Sequence, residues 1–153
     1  MSDRSAMAAS TDDAQALAER VGASMYESDR ASRALGMRIE SIGPGRAEMT
    51  MTVRDDMVNG HAICHGGYIF LLADSTFAFA CNSHNRNTVA QGCSIDYLAP
   101  AHAGDVLRAT GAQRSRTGRT GVYDIEVRDQ DGKTVAPLRG ERYRIDGHVV
   151  DES

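Results

Sequence analysis

Apolar side chains recur at Ala14, Leu17, Ala18, Val21 and Met25, a spacing that predicts an amphipathic helix over Asp12 to Arg33, with Thr11 or Asp12 as its cap. The period then changes. MRIESI and RAEMTMTV, either side of Gly43-Pro44-Gly45, alternate in side-chain type as the two strands of a hairpin do. From Gly66 to Cys81 the chain is apolar almost all round and holds its three phenylalanines, Phe70, Phe77 and Phe79. Such a helix has to be wrapped by a sheet on one side and covered by something else on the other. Beyond it SIDYLAP, DVLRATGAQRSR, GVYDIEVRD and TVAPLRGERYRI predict three or four further strands. Pro100, Gly104, Gly118 and the Asp129 to Gly132 turn separate them, and connections this short make them antiparallel. The pattern is that of an α+β chain with one central helix and an extra helix at its N-terminus.

At 153 residues the chain suffices for one domain with its own core. We place a flexible N-terminus over 1–11, a single domain over 12–147 and a tail over 148–153. Seventeen basic residues against 21 acidic ones create no broad positive field, so neither nucleic acid nor an anionic membrane is an expected partner. The N-terminal residues lack the apolar stretch of a signal peptide, and the longest apolar run, Tyr68 to Ala73, is far too short to span a bilayer. The expected location is cytoplasmic. Three cysteines, Cys64, Cys81 and Cys93, then read as free thiols rather than a disulfide framework.

The segment Asn59 to Asn85 crowds histidines, cysteines and one acid around the apolar helix. His61 and His65 stand four apart, Cys81 and His84 three apart, which are ligand-like spacings. No second half of a zinc motif accompanies either pair, and they flank opposite ends of a helix about 24 Å long. No metal is therefore expected, and Cys64, Cys81 and His84 are read as packing.

Two other features carry chemistry. Gly66 and Gly67 open the helix, where unpaired N–H groups and partial positive charge can receive an oxyanion; the glycines can equally serve a tight turn, and spacing alone favours neither. Asp74 lies in the middle of the helix, where a carboxylate has no capping role. It is either turned to solvent or bonded locally, or it is functional. Its own face reads Gly67, Phe70, Ala78 and Cys81, which is not a solvent face. Eight residues separate Gly66 and Asp74 by about 12 Å along the axis, too far to serve one reacting carbonyl. Two copies of the helix, antiparallel about a two-fold axis near Phe70, would bring residue 66 of one beside residue 74 of the other. The predicted unit is a homodimer with two composite sites.

Asn59-Gly60-His61, Cys64-His65-Gly66-Gly67, Leu72-Ala73-Asp74, Ala80-Cys81-Asn82-Ser83 and Gly121-Val122-Tyr123-Asp124, in this order between about Gly36 and Gly147, resemble the PaaI-type branch of the hotdog-fold acyl-CoA thioesterases of phenylacetate catabolism. The resemblance implies a curved antiparallel sheet wrapped around the central helix, dimers that pair into homotetramers, and hydrolysis of an acyl-CoA such as an aryl-acetyl or hydroxyphenylacetyl thioester. No cofactor is implied beyond the coenzyme A of the substrate. It further implies Asp74 as nucleophile or general base, Gly66 as the backbone donor to the carbonyl with Gly67 beside it, and Asn59 and His65 as positioning residues.

Arg114, Arg116 and Arg119 cluster near a glycine-containing loop where they can meet the phosphates of coenzyme A, or else stand as solvated strand-end charges. Tyr68, Phe70 and Phe77 are candidates for an aryl pocket and equally for the core. A Ser-His-Asp hydrolase is disfavoured, because Gly92-Cys93-Ser94-Ile95-Asp96 is no nucleophile elbow. A non-catalytic acyl-CoA or acyl-carrier binding module on the same scaffold is the alternative.

Overall fold

The computed structural model of the protein describes residues 10–152. Its first helix, α1 (Thr11–Ser28), starts from a capping box in which Ser10 Oγ accepts the Asp13 N–H at 3.1 Å and the Asp13 carboxylate accepts the Ser10 N–H at 3.3 Å. The cap is therefore Ser10, not Thr11 or Asp12, and Thr11 belongs to the helix. The N-terminal stretch placed over 1–11 falls, up to residue 9, outside the described residues. The single helix expected to Arg33 is in fact two. Asp29 ends α1 and caps α2 (Arg30–Ala34), its carboxylate accepting both the N–H and the hydroxyl of Ser32, at 3.0 and 2.6 Å.

The hairpin forms as the alternation predicts, from β1 (Arg38–Gly43) and β2 (Arg46–Thr52), with Gly45 in the left-handed region at φ +72°. The long helix follows as α3 (Gly66–Asn82), then β3 (Thr88–Ile95), β4 (Val106–Thr117), β5 (Thr120–Arg128) and β6 (Thr134–Arg144). The six strands make one antiparallel sheet in the order β1-β2-β4-β5-β6-β3, interrupted by β-bulges, and curl around α3 in a hotdog fold. Sequence places the strand after α3 too late, at Ser94 to Pro100. Nearly every residue of β3 is exposed, so it carries no alternation to detect. The more apolar Tyr97-Leu98-Ala99 runs instead as a loop, whose Leu98 N–H donates to the Val135 carbonyl at 2.9 Å.

What seats α3 is alternation on the inner face of the sheet. Tyr123, Ile125 and Val127 of β5 and Leu107 and Ala109 of β4 are buried against it, with the Phe77 and Tyr123 rings 5.6 Å apart. Close approach of helix to sheet depends on two glycines. A Cβ at Gly140 would stand 2.8 Å from the Phe77 ring, and one at Gly111 would stand 3.3 Å from the Thr76 methyl.

The C-terminal tail is tied down. Buried Asn85, at φ +59°, accepts the N–H groups of Val149 and Val150 through its side chain and donates to the Val150 carbonyl, all at 2.9–3.0 Å. Among the described residues no helix is long and apolar enough to cross a membrane.

Gly140→Ala is expected to destabilise the fold by about 1–3 kcal/mol through overpacking against Phe77. Gly60→Ala, where a Cβ meets nothing within 4 Å, should leave the thermal midpoint unchanged. Paired melting curves check both.

Candidate active site

The turn before α3 is fixed by its backbone. Asn59 N–H donates to the Ile63 carbonyl, Cys64 N–H to Ala101 and His65 N–H to Met57, at 2.7–2.8 Å. Asn59 Oδ1 accepts from the N–H groups of His61 and Ile63, at 2.9 and 3.4 Å. That leaves its Nδ2 as the uncommitted end of the side chain.

At the helix start the donors sort themselves. His65 is the N-cap, and its Nδ1 accepts the Gly67 N–H at 3.1 Å, which places the ring proton on Nε2. Tyr68 N–H donates to the His65 carbonyl at 3.0 Å. The Gly66 N–H alone of these three has no acceptor among the described residues. Of the two glycines read as oxyanion donors, Gly67 is thus occupied internally and Gly66 is free. Neither has a positive φ, so neither is there to turn the chain. Gly66 lies against Tyr97 instead: a Cβ would stand 3.0 Å from its exposed ring, which would have to give by a few tenths of an ångström, and the Tyr97 hydroxyl donates to the Gly66 carbonyl at 3.0 Å. Tyr97 was not predicted as a site residue, since only the tertiary fold brings it to the helix.

Asn59, Gly66 and Tyr97 share one groove of about 490 Å³ with the apolar side chains of Ile63, Ile69 and Leu98. His65, Gly67 and Tyr68 line a neighbouring depression. Phe70 is half-buried and packs against the core.

Asp74 lies in neither cavity. It is half-buried on the face of α3 that also carries Phe70 and Ala78, and its carboxylate makes no hydrogen bond or ion pair among the described residues. Burial without a partner raises its pKa above the ordinary carboxylate value. Across from it stands β3, whose exposed Cys93 thiol is pushed up by partial desolvation and then by the charge of Asp74. β3 is the edge of the sheet, is exposed along both faces, and has Val89 47 % exposed.

The arginines part company. Arg114 pairs with Asp124 at 2.8 Å on the outer face of the sheet. Arg119 donates to the Arg144 carbonyl at 3.2 Å and faces Asp146 at 3.6 Å. Arg116 lines a cavity at the far end of α3 with His84, Arg86, Arg142 and Arg144. His84 there bonds Gln113 at 3.1 Å.

A model of the thioesterase superfamily matches residues 61–136. The chain is 50% identical over 129 residues to the acyl-coenzyme A thioesterase PaaI of Escherichia coli K12, covering 84% of this chain and 92% of that protein. The solved structure of the E. coli PaaI protein, from the phenylacetic acid degradation operon, superposes with a TM-score of 0.87 at 48% identity, over 88% of this chain and 97% of that one. That of smu.793 from Streptococcus mutans UA159, bound to acetyl-CoA, superposes with a TM-score of 0.71 at 28% identity, over 73% and 90%.

The raised pKa of Asp74 has a consequence for stability. A carboxyl whose folded pKa lies above its unfolded value costs stability once ionised; the cost is absent below the unfolded pKa and complete above the folded one. Asp74→Asn is expected to raise the thermal midpoint at pH 7, and the gain should vanish as the pH falls through the carboxylate range. Melting curves across pH 3–7 check the sign.

Proposed function

The chain belongs to the PaaI-type branch of the thioesterase superfamily and is an acyl-CoA thioester hydrolase, and we propose that its reaction takes place at a site made by two copies of the chain. Asp74 of one copy acts on a thioester whose carbonyl oxygen is held by the Gly66 N–H of the other. The observation that carries this is the pair of unsatisfied groups on α3, a half-buried carboxylate without a partner and a helix-start N–H without an acceptor. They are about 12 Å apart in one chain. An antiparallel two-fold pairing of α3 about Phe70 brings each beside its complement, and the uncovered β3 edge supplies the surface along which a second sheet can continue.

The chemistry then needs few groups. Asp74 adds to the thioester carbonyl as nucleophile, or takes a proton from a water that adds in its place. The Gly66 N–H, at the positive end of α3, stabilises the oxyanion as it forms. Collapse expels the thiolate of coenzyme A, a good leaving group that requires no general acid. Where Asp74 itself has added, collapse leaves its acyl anhydride, which water then hydrolyses. By either route the carbonyl–sulfur bond breaks, the oxygen of water ends in a carboxylic acid and the Asp74 carboxylate is regenerated. Asn59, with Oδ1 tied to its own loop, offers Nδ2 to the bound substrate, and His65 holds the helix start in place. Ile63, Ile69, Tyr97 and Leu98 give the groove beside Gly66 an apolar wall suited to an aryl-acetyl or hydroxyphenylacetyl group, with Tyr68 and Phe70 next along the helix.

Asp74→Ala is expected to abolish thiol release from acyl-CoA. Gly66→Pro removes one N–H at a helix position where proline is tolerated and should lower kcat by about 10²–10³, with Gly66→Ala, which keeps the N–H, as the control for a side chain against Tyr97. Hybrid dimers of Asp74→Ala and Gly66→Pro contain one intact site each, so a refolded equimolar mixture should recover about a quarter of wild-type activity. A mixture as inactive as its components would refute the shared site.

A further inference from the structure

The cavity at the C-terminal end of α3 is lined by Arg86, Arg116, Arg142, Arg144 and His84, and no aspartate or glutamate lines it. Arg142 is the unusual member. It occupies the inward-facing series of β6 after Leu138 and Gly140, where a core side chain would be expected, and is only 3% exposed. Its Nε is buried with no hydrogen-bond partner, and its one bond from the guanidinium goes to the Arg119 carbonyl at 3.3 Å. The side chains of Arg116 and Arg144 make no ion pair among the described residues, whereas Arg86 bonds His148 and faces Glu152 at 3.7 Å. A buried guanidinium that lacks a counter-charge is costly, and three more beside it raise the cost. The end of α3 supplies only about half a negative charge, which leaves most of the positive charge in this cavity uncompensated.

We propose that this cavity is a phosphoryl-binding site, with Arg142 at its floor and Arg116, Arg144 and Arg86 around its mouth. A phosphoryl group carries nearly two negative charges and three acceptor oxygens, which a carboxylate does not, and guanidinium forks match its geometry. The volume of about 380 Å³ admits such a group with part of what it is attached to. The phosphoryl group can be a phosphate of the substrate's coenzyme A or that of a free phosphorylated ligand. The first source rests on the shared-site reading above: Asn82, the last residue of α3, is eight residues past Asp74, so the cavity lies about 12 Å along the helix from the carboxylate, in the same chain. Phosphate binding itself does not rest on it.

The test is direct calorimetric titration of inorganic phosphate and of adenosine 3′,5′-bisphosphate into wild type, Arg116→Ala, Arg144→Gln and Arg142→Met. The first two variants alter partly exposed side chains, so the outcome stands even if Arg142→Met fails to fold. Wild type should bind both probes, and each variant should weaken binding about tenfold or more, the value of one charge-assisted contact. KM values for an acyl-CoA and for the matching acyl-pantetheine then identify the source. A rise in Arg144→Gln for acyl-CoA alone assigns the site to coenzyme A; unchanged KM with lost phosphate binding assigns it to a free phosphorylated ligand. Failure of wild type to bind either probe at millimolar concentration, or binding indifferent to Arg116 and Arg144, overturns the proposal. Because binding is read without turnover, an inactive enzyme that still binds phosphate would separate failure of the catalytic site from failure of this one.

Discussion

Helix α3 reaches its depth in the sheet because two side chains are missing beneath it. Gly140 on β6 and Gly111 on β4 leave room for Phe77 and Thr76, and the Phe77 ring settles against Tyr123 between the strands. Everything functional is measured from that seat. It sets how far the helix start projects toward the Asn59 loop, which face of the helix is left uncovered, and how close its C-terminal end comes to Arg142. The contact is geometric rather than strong in any single interaction, and interiors packed to this density respond to one extra methyl.

On that scaffold the polar groups divide into those satisfied within the chain and those left open. Asn59 Oδ1, the Gly67 N–H and the Tyr97 hydroxyl are all engaged locally. Their effect is to hold the loop and the first turn of α3 rigid, with the Gly66 N–H as the open donor. Asp74 stands at the other extreme, half-buried with no hydrogen-bond partner among the described residues. Two complementary unsatisfied groups on one helix, beside an uncovered strand edge, are what the proposed pairing of two chains would satisfy.

The same contrast orders the cations. Arg114, Arg128 and Arg139 on the outer face of the sheet all meet carboxylates, and these exposed pairs contribute little to stability. Arg142, Arg116 and Arg144 meet none, and one of them is buried. Proximity in sequence therefore misleads here: Arg114, Arg116 and Arg119 lie within six residues, yet the strand turns one outward, one to the cavity and one to the end of β6.

Periodicity gives the α+β order and the hairpin, because in those segments one face is buried and the other is not, and an unbroken apolar run gives the extent of α3 to within a residue. Where both faces are exposed, as in β3, there is no pattern to read, and the predicted strand starts six residues late. The isolated acid on an apolar helix face and the helix-opening glycines were legible as well, since buried charge and bare backbone are anomalies at the level of residue type. The sequence could not decide which glycine keeps its N–H, that Gly66 lies against Tyr97, or that Arg142 and Arg144 join Arg116 across the sheet. Those are matters of contacts between residues about 25 to 30 apart, Gly66 with Tyr97 and Arg116 with Arg142 and Arg144, which strand register and the curl of the sheet establish and no local spacing encodes.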